Sequence, residues 1–180
     1  EKMKKRISKF SGSAATITVG GATKAETGEI KYRVEDAVAA TKAALEEGIV
    51  AGGGYTLLKA SEYLEKKITD DLFPTEDMKN GAKIFVKALK APLMKIAENA
   101  GYNGGAVLQK CIDGKVGFNA LTGEYMDMLN NGIIDPAKVT IACVKNANSG
   151  AGVLLTTNVA IVKAEEVTKP DSDGRTRRTR

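Results

Sequence analysis

Residues 46–55 read Glu46-Glu47-Gly48-Ile49-Val50-Ala51-Gly52-Gly53-Gly54-Tyr55. The run separates two helical patterns and breaks both. Before it, about Glu26 to Glu47 carries the strongest helix signal in the chain. Val34, Val38, Thr41 and Leu45 recur there at i, i+4, i+7 and i+11, one apolar stripe on an Ala-rich rod. After it, 55–67 forms a second helical pattern with Leu57, Leu58, Leu64 and Ile68 inward. Gly52 to Gly54 permit positive φ at a helix N-terminus, where backbone amides approach an anionic ligand. The plain alternative is an interhelical turn. The run matches neither GxGxxG nor GxxxxGK[ST], and no such loop occurs elsewhere in the chain.

Downstream, Thr75-Glu76-Asp77 starts a helix over about 76–91 that buries Ile84, Phe85 and Leu89. Pro92 kinks it or restarts it as a first-turn proline over 92–100. Gly101 to Gly105 is a turn, and a short helix follows through Ile112. Phe118 to Leu121 reads as a short extended segment, and Glu124–Asn130 as helical for two turns. Asp135-Pro136 opens a long helix through about Gly152, with Val139, Cys143 and Ala147 on one face, and Thr156–Lys163 is strand-like. Upstream, 2–10 reads as a short basic helix, and Ala15 to Val19 alternates as a strand closed by Gly20-Gly21. No period of repeat length recurs. The expected class is mainly α with minor β.

The chain has 180 residues, 43% apolar and 27% charged, enough for one ordinary domain or two small ones with a real core. No apolar run reaches membrane-span length. The net charge of +5 invites a nucleic-acid reading, but it resides at the ends. Residues 1–6 and 169–180 each carry a net +3, which leaves 7–168 at −1. A basic stripe on a folded face is absent from that pattern; a solvated basic tail is the plainer reading of the charge, and 164–180 reads as a disordered tail. His is absent altogether, which excludes His-based catalytic sets and Cys/His metal sites. Cys111 and Cys143 stand in apolar contexts and read as buried, reduced core residues, which fits an intracellular compartment. The opening Glu1-Lys2-Met3-Lys4 has neither initiator Met nor an apolar run behind it, so we expect a piece of a longer protein.

Few residues offer chemistry. Asp36 lies two positions after Val34, which turns it away from the apolar stripe, though a solvated helix acid needs no function and Glu35 is equally eligible. Asp135 suits an N-cap. Asn119 presents an amide to a base or closes a turn.

Taken in order, Arg33-Val34-Glu35-Asp36-Ala37, the 46–54 run, Ala91-Pro92-Leu93, Phe118-Asn119-Ala120, Gly132 to Thr140 and Leu155-Thr156-Thr157 resemble the C-terminal part of group I chaperonins, the GroEL-like family. The resemblance runs from residue 1 to about 163. It implies that 1–14 ends an apical domain, 15–46 belongs to an intermediate domain, and 47–163 to the C-terminal part of an equatorial ATP-binding domain. It implies ATP and Mg2+ as the nucleotide and metal, with Asp36 as the catalytic acid. Gly53 would stand at the nucleotide, Asn119 and Ala120 at the adenine, and Asp135 at the ribose. Implied partners are identical subunits in a ring, a co-chaperonin and unfolded client proteins, in a bacterial cytoplasm or organelle matrix, with no membrane or nucleic acid. The family's Gly-Asp-Gly-Thr-Thr phosphate loop and its second acid are missing from these residues. Met94 stands where the family often has Arg, and Asn103 near where it has an acid, which puts ring-to-ring contact in doubt. The alternative is an inactive structural or assembly fragment without ATPase of its own.

Overall fold

The computed structural model describes Met3, Arg6, Ile7, residues 15–69 and residues 71–162. In chain order the elements are α1 (Lys24–Glu47), β1 (Ile49–Ala51), α2 (Tyr55–Glu65), α3 (Glu76–Leu89), α4 (Ala91–Asn99), α5 (Gly104–Gly114), β2 (Gly117–Asn119), β3 (Glu124–Met126), β4 (Ile134–Pro136) and α6 (Ala137–Leu155). The class is mainly α with minor β. Two units divide the chain, Glu1–Ala142 and Cys143–Arg180, with α6 running from the first into the second.

Helix α1 starts where its capping chemistry allows. The Thr23 hydroxyl accepts the Glu26 N–H at 3.1 Å, and the Glu26 carboxylate accepts the Ala22 N–H at 2.7 Å, so a first-turn donor and the N–H just ahead of the cap are both satisfied. It stops at Gly48, whose φ of +83° belongs to glycine and whose N–H closes on the Ala44 carbonyl. Helices α3 and α5 repeat the device with Thr75 and Asn103 as caps. Pro92 restarts the chain within the first turn of α4 rather than kinking α3.

The core of the first unit gathers Leu58, Leu93, Ala97, Val107, Cys111 and Phe118 from α2, α4, α5 and β2. Burying a Leu of this kind contributes about 1.5–3 kcal/mol. Phe118 is flanked by Tyr102, edge-on at 5.1 Å, and Tyr125 at 5.2 Å, and its pairing with Tyr125 fixes the β2–β3 register. Ser61, fully buried, is satisfied by donating to the Leu58 carbonyl at 2.7 Å. The two sheets among the described residues are two-stranded and antiparallel. One is the β2–β3 hairpin; the other joins β1 to β4, strands far apart in sequence, with Val50 opposite Asp135.

Several expectations need correction. Residues 15–19 form no strand, because no ladder partner reaches them among the described residues. Glu124–Asn130 is not helical. Gly123 turns at φ +76° and donates to the Asn119 carbonyl at 2.8 Å, which folds Glu124–Met126 back on β2 as a strand. Asp135 and Pro136 lie in β4, and the helix begins one residue later, so Asp135 is no cap. Ile84 is 71% exposed; the buried face of α3 is set by Val86 and Leu89, and Ile84 falls some 200° from Val86. Phe85 is half-buried. Cys111 is buried as expected, but Cys143, Val139 and Ala147 are exposed. The α1 stripe is not a packed one, since that helix has no buried residue. Residues 156–162 pair with no strand among the described residues. Of 2–10, the described Met3, Arg6 and Ile7 are helical; the tail over 164–180 lies outside the described residues.

Candidate functional site

The β1–α2 loop is a neighbour of both small sheets. Gly52 donates its N–H to the Ile133 carbonyl at 2.9 Å, and a Cβ on Gly52 would stand 3.2 Å from backbone atoms of Ile133 and Ile134, just before Asp135. Gly53 has φ +66°, and a Cβ there would meet the Met128 methyl at 2.7 Å and the Phe118 carbonyl at 3.6 Å, next to Asn119. Gly54, at φ +75°, lies against the backbone of Leu93. These glycines therefore let three backbone segments come together, a packing role that their sequence does not separate from ligand approach. The Gly53 and Gly54 amides have no partner among the described residues, and they sit at the N-terminus of α2, where backbone dipoles favour an anion. Thr56 secures the turn by donating its hydroxyl to the Ala51 carbonyl at 2.7 Å.

Asp135 is half-buried in β4, and its carboxylate has no hydrogen-bond or ion-pair partner among the described residues. Burial raises its pKa above the ordinary 3.8. Asn119 ends β2. Its Oδ1 accepts the Leu121 N–H at 3.0 Å and its Nδ2 faces the Met126 sulfur at 4.0 Å, so the side chain closes a turn and is oriented while doing so. Ala120 is half-buried and packs against the core cluster.

Asp36 stands apart. It is exposed on α1, twelve residues before Gly48, roughly 18 Å along the helix axis. Helix α1 is tied to the rest at its other end: Glu46 pairs with Lys138, raising the Lys138 pKa through that hydrogen bond, and Ala137 donates to the Gly48 carbonyl at 3.0 Å. The structure thus places Gly53, Asn119 and Asp135 around one loop and leaves Asp36 outside it. Gly52 and Ile133 both stand in runs singled out in the sequence, but the bond by which they join that loop to β4 was not legible there. Only the antiparallel pairing of two three-residue strands reveals it.

The model of the TCP-1/cpn60 chaperonin family matches residues 3–166. The chain belongs to that family. Among solved structures, the crystal structure of a group III chaperonin in the open state is similar to this chaperonin chain, with 34% identity and a TM-score of 0.69. The match covers 83% of this chain and 31% of that one, so the chaperonin chain spans about a third of the length of that relative. No helix among the described residues is long and apolar enough to cross a membrane. No three His, Cys, Asp or Glu side chains among them group to hold a metal ion.

Proposed function

We propose that this chain carries the nucleoside-facing part of an ATP-dependent chaperonin, in a subunit that assembles in rings and encloses unfolded protein. The observation that carries the reading is Asp135: a half-buried carboxylate with no partner among the described residues, following Ile133, which anchors a loop whose Gly53 and Gly54 amides are likewise unpaired among them. Ribose hydroxyls donating to Asp135 would satisfy the buried charge, and the α2 N-terminus favours the anionic end of a nucleotide. Asn119 and Ala120 then border the adenine. Asp36 orients the attacking water once motion about the Gly48 end of α1 brings it in, in a reaction governed by positioning and charge stabilisation. Mg2+ would travel with the phosphates, neutralising charge there. The quoted runs favour group I, a cytoplasmic or organelle-matrix setting and a co-chaperonin partner.

Calorimetric titration of the chain with ATP and Mg2+ tests this. Asp135→Asn should weaken binding about tenfold to a hundredfold, the worth of a hydrogen bond to a charged group. Asp36→Ala should leave binding unchanged. Equal affinity of wild type and Asp135→Asn would sink the ribose role. A second reading, an assembly module without ATPase of its own, draws support from the exposed apolar side chains of α1 and 153–162. Phosphate release above background by the chain, abolished in Asp36→Ala, would overturn that one.

A further inference from the structure

Met128 is 1% exposed although it lies in the turn after β3, outside any regular element. Its surroundings are unusual. The methyl group occupies the space a side chain at Gly53 would need, 2.7 Å from that Cβ position. Its sulfur stands 2.5 Å from the Cβ position of Gly117, at the start of β2, where the Met128 Cγ is also in contact. Its carbonyl accepts the Ile133 N–H at 2.9 Å, and the Ile133 carbonyl in turn accepts from Gly52. One residue therefore touches the glycine loop, the strand that ends in Asn119 and the segment that leads into Asp135. An unbranched thioether suits such a place, because it bends to fill the irregular gap between three backbones.

We propose that Met128 is the positioning residue that holds Gly53, β2 and the Ile133–Asp135 segment in mutual register for nucleotide binding; the binding half of this inference rests on the function proposed above. Met128 touches no nucleotide. It acts by fixing where the Gly53 amide and the ends of β2 and β4 stand.

Gly117 supplies a test that a merely filling side chain would not satisfy. Its φ is not in the left-handed region, so Gly117→Ala is opposed by Met128 rather than by backbone strain. Alanine at 128 removes the Cγ, sulfur and methyl that a Gly117 methyl would meet. On the full chain, ADP affinity is measured by calorimetry and amide exchange by NMR, with α4 and α5 amides as internal controls. Met128→Ala and Gly117→Ala should each weaken ADP binding by about tenfold, within the range over which contacting residues couple. Both should speed exchange at the Gly52 and Ile133 amides while the controls hold. The double variant should recover much of both losses, and Met128→Leu should stay near wild type. Wild-type ADP affinity and unchanged Gly52 protection in Met128→Ala would overturn the inference, as would losses that simply add in the double variant. Absence of ADP binding by the wild-type chain would instead overturn the proposed function. Exchange at Gly52 and Ile133 then decides the positioning role by itself. Should Met128→Ala fail to fold, Gly117→Ala against wild type carries the test by itself: unchanged exchange at the Gly52 and Ile133 amides in that variant would overturn the positioning role.

Discussion

Asp135 shows how a single carboxylate can carry an unfavourable term in the free protein. Its folded-state pKa is raised by burial above the ordinary 3.8, so the folded state holds its proton more tightly than the unfolded chain does. The stabilising contribution of the protonated form is complete below 3.8 and is lost as pH rises through the folded-state pKa; above that it stays lost. Asparagine at 135 removes the titration. We therefore expect Asp135→Asn to melt higher than wild type at neutral pH, with the gap closing as pH falls toward 3.8, measured by paired thermal melts across that window. A gap independent of pH would show that the carboxylate is not the cause. ATP should narrow the same gap at neutral pH by stabilising the wild type more than the weaker-binding variant. Asp135 could be singled out in the sequence, since an acid before a proline marks an element boundary. Its burial could not, because that depends on Val50, placed opposite it from far along the chain.

At the level of elements, legibility followed length and capping. Helices α1 to α5 were readable because each has a periodic face and four of them a residue that stops or starts them, as Gly48, Thr75, Pro92 and Asn103 do. The four strands among the described residues are three residues each, too short for alternation to outweigh helical spacing, so Glu124 to Met126 read as helix and Ile49 to Ala51 as linker. Faces were less legible than elements. In α3, Ile84 and Val86 are equally apolar, and only packing selects Val86. That selection is measurable by urea denaturation. Leu93→Ala, at a side chain 1% exposed beside Gly54, should cost about 2–5 kcal/mol. Ile84→Ala should stay within about 0.5 kcal/mol of wild type. A large loss at Ile84 would mean that this face is covered in solution.

Across the molecule, the apolar side chains left in solvent are as informative as the core. On the first unit, α1 buries nothing, and Tyr32 and Leu45 are 72% and 83% exposed on it. On the second, Leu154, Leu155 and Ile161 are 76%, 86% and 97% exposed. Single exposed apolar residues are ordinary, but a 24-residue helix with no buried position is not held by its own packing. Covering two or three such side chains contributes about 1.5–3 kcal/mol each, comparable in sum with the whole stability of a domain. The chain should therefore self-associate. Sedimentation velocity at rising concentration should show a growing weight-average mass, and an apolar dye should bind the dilute protein. Leu45→Lys and Leu155→Lys should each reduce the association without lowering the melting temperature of the dilute chain, because neither side chain supports the fold. A concentration-independent monomer that binds no dye would show that these faces need no cover, and with it the assembly-module reading would lose its main support.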